Sequence, residues 1–514
     1  MFEPLHPRFI LAGIGRLKKE VRPVLDIVEA SPKRAVSADL QQNIAILNQE
    51  LGVKKSFDML CRELEYGGKK FALYFVDGFA KDDIMNRIME HLALLDKEML
   101  TSDTIKKLLE TQVGYLEVEI VEDLEAVKTA VLSGPLVFLI DGETKAISID
   151  ARTYPARGPA EPDLERVVRG SRDGFVETMI FNTSLTRRRV RDPGLRMEYV
   201  QVGKRSKTDI VVSYIEDVAN PDLVTLIKNK LQEIKIDGLP MAEKTVEELM
   251  FGKNWNPYPM VRYTERPDVA AVHLLEGHVL IYVDTSPSVM ITPTTFFHHV
   301  QHAEEFRQKP ISGVYVRWLR FLAILCSILL TPLWMALVMN KSFMPSFFMF
   351  TIPEKSLAIT IFWQMMFAEI GLALLRMAAI HTPNPLGSAL GLVAALMVGQ
   401  VAIEIGFFTR EVILFTSIAA IGTFATPSYE LSLANQLVRL GLLVLTGIFG
   451  FYGFLVGVVL WLVLLVRTKS LDTPYFWPLL PFNWNALVHV LFRSPVEWNS
   501  KRPKILHPQD DTRK

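Results

Sequence analysis

Five apolar runs crowd the C-terminal part of this chain, and they settle its physical class before any motif is read. They are Leu319 to Met339, Leu357 to Ile380, Leu386 to Phe408, Val412 to Thr426 and Leu437 to Val466. About 20 apolar residues are needed to cross a hydrocarbon layer. The first, third and fifth runs qualify on length, the fourth is short, and the second carries Gln364, Glu369 and Arg376. An all-α polytopic membrane bundle over residues 317–467 is therefore expected. Composition fits that division: 22% of residues are charged, yet mean hydropathy is +0.23. Such a pair of values arises when a soluble half and a membrane half are averaged.

Basic residues favour the cytoplasmic flanks of a span. Arg317 and Arg320 stand before the first run; Arg467, Lys469, Arg493, Lys501, Arg502 and Lys504 follow the last. Both flanks are thus expected inside, with 468–514 a cytosolic tail, and the number of crossings even. Five runs are visible, so four full crossings are expected. Either Leu357 to Ile380 or Val412 to Thr426 would then enter and leave on one side, or lie at the interface. The opening Met-Phe-Glu-Pro-Leu-His-Pro offers no basic region leading into an apolar core, so the soluble half is expected to stay cytoplasmic. Two cysteines, Cys61 and Cys326, exclude a disulfide framework and fit a reducing compartment.

A carboxylate at bilayer depth costs roughly 2.5 kcal/mol or more. Gln364, Glu369, Arg376, Gln400 and Glu404 are therefore candidates for lining or gating a hydrated path, the alternatives being buried hydrogen-bond partners or, for Glu404, a place near the headgroups. Glu369 and Arg376 lie two helical turns apart, about 10 Å, so each should find its partner on another helix or subunit. Gln400 and Glu404 share a face. Gly387 and Gly391 form a small-residue four-spacing, and Gly447, Gly450, Gly453 and Gly457 fall on one side of the last helix. Both sets predict close helix contact, within the subunit or between subunits.

The soluble half repeats itself. Phe71 to Ala80 matches Ile210 to Ala219 at an offset of 139, and Val131 to Asp141 matches Leu274 to Asp284 at 143. Each copy reads as buried strand, acidic turn and amphipathic helix, which predicts two similar α/β subdomains over 41–150 and 206–316, after an arm at 1–40. Between them, 151–205 reads as an Arg-rich connector. Its Arg187, Arg188 and Arg189 are interface candidates, because acids such as Asp173 and Asp192 are interspersed and no nucleic-acid motif is present. No Walker A, dinucleotide, nucleophile-elbow, kinase or zincin pattern occurs, so neither an enzyme nor a cofactor is expected. His298 and His302 are weak metal candidates, set at i and i+4 of an expected helix.

Several separated motifs then carry a family likeness. They are Tyr74-Phe-Val-Asp-Gly78, Arg157 to Gly170, Gly174-Phe-Val-Glu177 with Asn182 and Arg187-Arg-Arg189, Gln301 with Glu304-Glu-Phe306 and Pro310, Pro383-Asn-Pro-Leu-Gly387 with Gly399-Gln400, Pro474 to Pro478, and Arg493-Ser-Pro495. Along nearly its whole length the chain resembles the A-subunit family of GerA-type spore germinant receptors, most of all its stage V sporulation protein AF branch. That resemblance implies a protein of the spore inner membrane acting in germination, in a homo-oligomer, as a pentamer, that conducts monovalent cations and works with other germination membrane proteins. A non-conducting scaffold, a receptor subunit and a secondary transporter remain as alternatives; a transporter usually shows its repeat within the membrane half, where none is evident.

Overall fold

The computed structural model describes residues 34–79, 82–94, 105, 118–152, 165–252, 255–353, 358–381, 400–493 and 501–513. Two α/β units come first. Strands β1 (Met59–Tyr66), β2 (Lys69–Val76), β3 (Val118–Val121), β4 (Leu136–Ile140) and β5 (Ala146–Ile149) form one antiparallel sheet in the order β1-β2-β4-β5-β3. Strands β6 (Leu195–Val202), β7 (Thr208–Ile215), β8 (Arg262–Thr264), β9 (Val279–Val283) and β10 (Val289–Thr292) repeat it as β6-β7-β9-β10-β8. The central strands β4 and β9 are buried at every position, which explains why both read as unbroken apolar runs rather than alternating ones.

The duplication reaches individual hydrogen bonds. Asn43 clasps the backbone of Ser37, and Asn182, 139 residues later, clasps that of Val176. The backbone N–H of Leu40 is held by Asp141 and that of Met179 by Asp284. Helices Leu124–Ser133 and Pro267–Glu276 both end on a left-handed glycine, Gly134 and Gly277, at φ values a side chain would strain. The stretch expected as a connector is largely part of the second unit: it contains helix Met179–Arg189 and β6, the edge strand of the second sheet. Its arginines masked this, because their alternation with acids disguised a strand that is half exposed.

Arg187 shows what joins the units. It is fully buried on the helix Met179–Arg189 and reaches across to Asp58, beside β1, with Nε 2.8 Å from one carboxylate oxygen and Nη2 3.1 Å from the other. Ser56 Oγ and the carbonyls of Leu195 and Asp192 take its remaining donors. Arg189 pairs instead with Asp173 inside the second unit, and Arg188 is exposed.

Beyond residue 310 the chain is helical. Three helices among the described residues are long and apolar enough to cross a membrane: Pro310–Met339, Ile361–Ala378 and Tyr429–Arg467. A shorter helix, Arg410–Phe424, packs between them, with Gly422 so close to the first helix that a Cβ there would lie 2.2 Å from the Ala323 carbonyl.

The 39 residues of Tyr429–Arg467 are not one rod, which would measure about 58 Å, twice a bilayer core. At Gly450 the backbone leaves helical geometry (φ 60°, ψ −141°) and the chain doubles back. A Cβ on Gly453 would stand 2.1 Å from the Leu445 carbonyl, and one on Gly457 would stand 2.6 Å from the Leu442 side chain. Near the open end, Tyr258 Oη bonds both Asn435 and Trp461, one on each leg. The fifth apolar run is therefore a helical hairpin. The chain reverses within this run, at Gly450, and not within the second or fourth run, where a reversal is expected from the sequence. The four glycines are correspondingly not one stripe: Gly450 makes the turn, Gly453 and Gly457 let the legs close, and Gly447 faces Phe362.

Candidate polar centre of the bundle

Chain direction follows from contacts. The first bundle helix leaves the α/β units and ends at Asn340, beside Gly450 at the far end of the hairpin. The second returns, Phe362 lying against Gly447 and Arg376 reaching Ser432 at the domain end. Thr409 is again at the far end, where its N–H donates to Gln364. Helix Arg410–Phe424 comes back toward Ser432, and the hairpin goes out and returns.

Halfway along, Glu369 of the second helix meets Arg439 of the first hairpin leg at 2.7 Å, both essentially without solvent exposure. Arg439 also donates to Thr423 Oγ1 at 3.1 Å and to the Ser327 carbonyl, so four helices converge on one guanidinium. Breaking such a pair in a water-free protein core costs several kcal/mol, whereas between helices in a bilayer substitute partners lower that cost. The geometry is incomplete, however: Glu369 Oε1 and Arg439 Nε are buried with no hydrogen-bond partner among the described residues.

Arg376 sits about two turns nearer the domain end. Its Nη2 donates to Ser432 Oγ at 3.1 Å, and its guanidinium lies 4.6 Å from the centre of the Tyr429 ring. Gln364 is a tie between helix ends rather than a free polar face, since it accepts from Thr409 N–H and donates to the Ile359 carbonyl. Gln400 and Glu404 are exposed on the bundle. Gly387 and Gly391 lie outside the described residues, as does most of the motif from Pro383 to Gly399.

Arg439 was not among the sequence candidates, although its position inside an apolar run marked it as clearly as Glu369. Glu305 was also missed as a partner. It is buried at the junction of unit and bundle, 2.7 Å from Arg317 Nε and in contact with Arg320, so one carboxylate pairs with both flanking arginines and the cluster keeps one net positive charge.

The metal reading of His298 and His302 does not survive. Helix Phe296–Val300 ends before His302, which begins the next helix and accepts the Glu304 N–H. Among the described residues no group of three or more His, Cys, Asp or Glu is placed to hold a metal. His298 instead packs edge-on against His278 and His273, ring centres 5.0 and 5.9 Å away. Burial pushes all of these imidazoles down, His278 and neighbouring His299 to about 3, with the Arg262 charge adding to the effect.

Known proteins match this chain in sequence over nearly its whole length. The sequence model described as Bacillus/Clostridium GerA spore germination protein matches residues 45–505. The chain belongs to that family. It is 47% identical to stage V sporulation protein AF of Bacillus subtilis (strain 168), covering 92% of this chain and 96% of that protein. Spore germination protein B1 of the same organism is 28% identical, covering 93% and 99%. Among solved structures, the N-terminal domain of the A subunit of the Bacillus megaterium spore germinant receptor GerK3 is 23% identical over 52% of this chain and 99% of that one, with a TM-score of 0.40. As a GerA-family protein with several apolar helices of membrane-spanning length, the chain is a spore germination membrane protein.

Proposed function

We propose that this GerA-family chain is a subunit of a homo-oligomer, pentameric as the resemblance implies, that conducts monovalent cations across the spore inner membrane. In this reading both chain ends face the cytoplasm, and ion release amplifies the germination response together with other germination membrane proteins. The observation that carries it is Glu404: an exposed carboxylate, beside exposed Gln400, flanked along its own segment by the exposed apolar side chains of Val401 and Ile405. Facing lipid it would be costly, whereas a water-filled path between copies would hydrate it. Glu369 is occupied by Arg439 within its own chain, which favours a conduction path between subunits over one through the single bundle.

The test is monovalent cation flux through the reconstituted protein, with and without co-purifying partners. Glu404→Ala should change unitary flux or cation preference while expression and oligomer size stay constant. Silence of a verified oligomer would overturn the channel reading in favour of a non-conducting scaffold or receptor subunit. The self-contained Glu369–Arg439 pair is the observation that supports that second reading.

A further inference from the structure

Where the second α/β unit, the first bundle helix and the tail meet, they enclose a cavity of about 590 Å³. That is within the range of ligand-binding pockets. Its wall is strongly basic: Arg317, Arg493, Lys501, Arg502, Lys504 and Arg513 line it, against a single carboxylate, Glu276. Three of the six cations are spoken for, Arg317 by Glu305, Arg502 by Asp510 and Arg513 by Glu276. Arg493 has no carboxylate partner among the described residues: it donates to the carbonyls of Glu305, Phe306 and Gln308 and lies over the Phe306 ring. Lys501 and Lys504 have no carboxylate partner among the described residues, and Arg513 Nε is buried with no acceptor there.

The rest of the setting fixes what kind of anion fits. Trp477 and Trp484 share the lining, and Phe482, Trp484 and Phe492 carry exposed aromatic surface outward from it, Phe492 packing on Trp318 of the first bundle helix. An aromatic belt with basic residues behind it is the signature of headgroup depth. The tail strap at 501–513 closes the cavity by pinning itself to the second unit: Arg502 donates to the Leu275 carbonyl, and Gln509 to those of Glu216 and Ala219.

We propose that this cavity binds a phosphate-bearing anion, the phosphodiester headgroup of an anionic phospholipid, held by Lys501, Lys504 and Arg493. Its occupancy would lock the tail strap between the second α/β unit and the first bundle helix. Phosphate is the shared chemistry, and the aromatic rim assigns it to lipid rather than to a soluble ion.

The experiment uses the full chain in nanodiscs of phosphatidylglycerol or of phosphatidylcholine, reading hydrogen exchange of residues 501–513 and affinity for a short-chain phosphatidylglycerol in detergent. Wild type should show a protected strap only with phosphatidylglycerol. Lys501→Gln/Lys504→Gln removes two exposed side chains, so folding is spared, and should weaken the lipid about thirtyfold. The charge-matched control Lys204→Gln/Lys207→Gln, on an exposed turn of the second unit, should leave affinity unchanged. Equal protection in both lipids, or equal affinity of wild type and the cavity variant, overturns the site. Full protection by inorganic phosphate without lipid overturns the lipid assignment.

Discussion

Two buried ion pairs, one in each half of the molecule, are built differently. Asp58–Arg187 joins the α/β units with nothing left over: both carboxylate oxygens are bonded, and the guanidinium is used by Ser56, Leu195 and Asp192 as well. Glu369–Arg439 joins bundle helices with one carboxylate oxygen and one guanidinium nitrogen unpartnered among the described residues. In water-facing domains an open chain can hydrate both charges, so only a complete network outweighs desolvation. In a bilayer the separated helices find substitute partners, so an incomplete pair suffices and keeps spare valence. The soluble pair is a staple; the bundle pair is a joint.

The sharpest way to break this contrast is to remove the soluble acid. Asp58→Ala leaves Arg187 charged and buried, and should destabilise the α/β region by about 3–5 kcal/mol. Denaturant unfolding of the full chain, followed by proteolytic release of that region, measures it. A loss below about 1 kcal/mol would mean that water reaches Arg187, and the staple description would fall.

How much of this was open to reading from the sequence depended on range. The two sheets were legible, since buried strands and their helices are local patterns and the offsets of 139 and 143 recur in the hydrogen bonds of Asn182 and Asp284. Helical membrane character was legible for the same reason. The hairpin was not, because apolar residues continue unbroken through Gly450 and a lone glycine does not announce which of its conformations it adopts. The pairings were hidden by distance: Asp58 and Arg187 are 129 residues apart, Glu369 and Arg439 are 70, and residue identity alone does not match them.

A second difference lies between the two α/β copies. The second unit buries His273 and His278; at the offset of 143 the first has Ala130 and Pro135. His299 has no hydrogen-bond partner on either ring nitrogen among the described residues. The folded pKa of His278 and of His299 is held at about 3 by burial, below the unfolded value of about 6.5. The unfolded chain therefore binds protons first as pH falls, and stability drops from pH 6.5 downward while being unaffected above it. Between pH 6.5 and 5.5 each such imidazole should remove about 1 kcal/mol. Acid should thus melt the second unit before the first, as seen by hydrogen exchange. His278→Leu should flatten that slope by one group's share; an unchanged slope would place the acid sensitivity elsewhere.

A comparably small expected effect decides the bundle side of the comparison. In a double-mutant cycle on the reconstituted chain, Glu369→Ala and Arg439→Ala should couple by only about 0.6–1.7 kcal/mol, the range of polar contacts between helices in lipid. The coupling is expected to be small because Thr423 and the Ser327 carbonyl can still hold Arg439 once Glu369 is gone. Coupling of 3 kcal/mol or more, in the range of a pair broken in a dry interior, would make the two halves alike in kind. The orphaned Glu369 oxygen and Arg439 nitrogen would then be tolerated defects. A small value, by contrast, leaves Glu369 free to exchange partners at little cost, and that freedom is what a moving joint between helices requires.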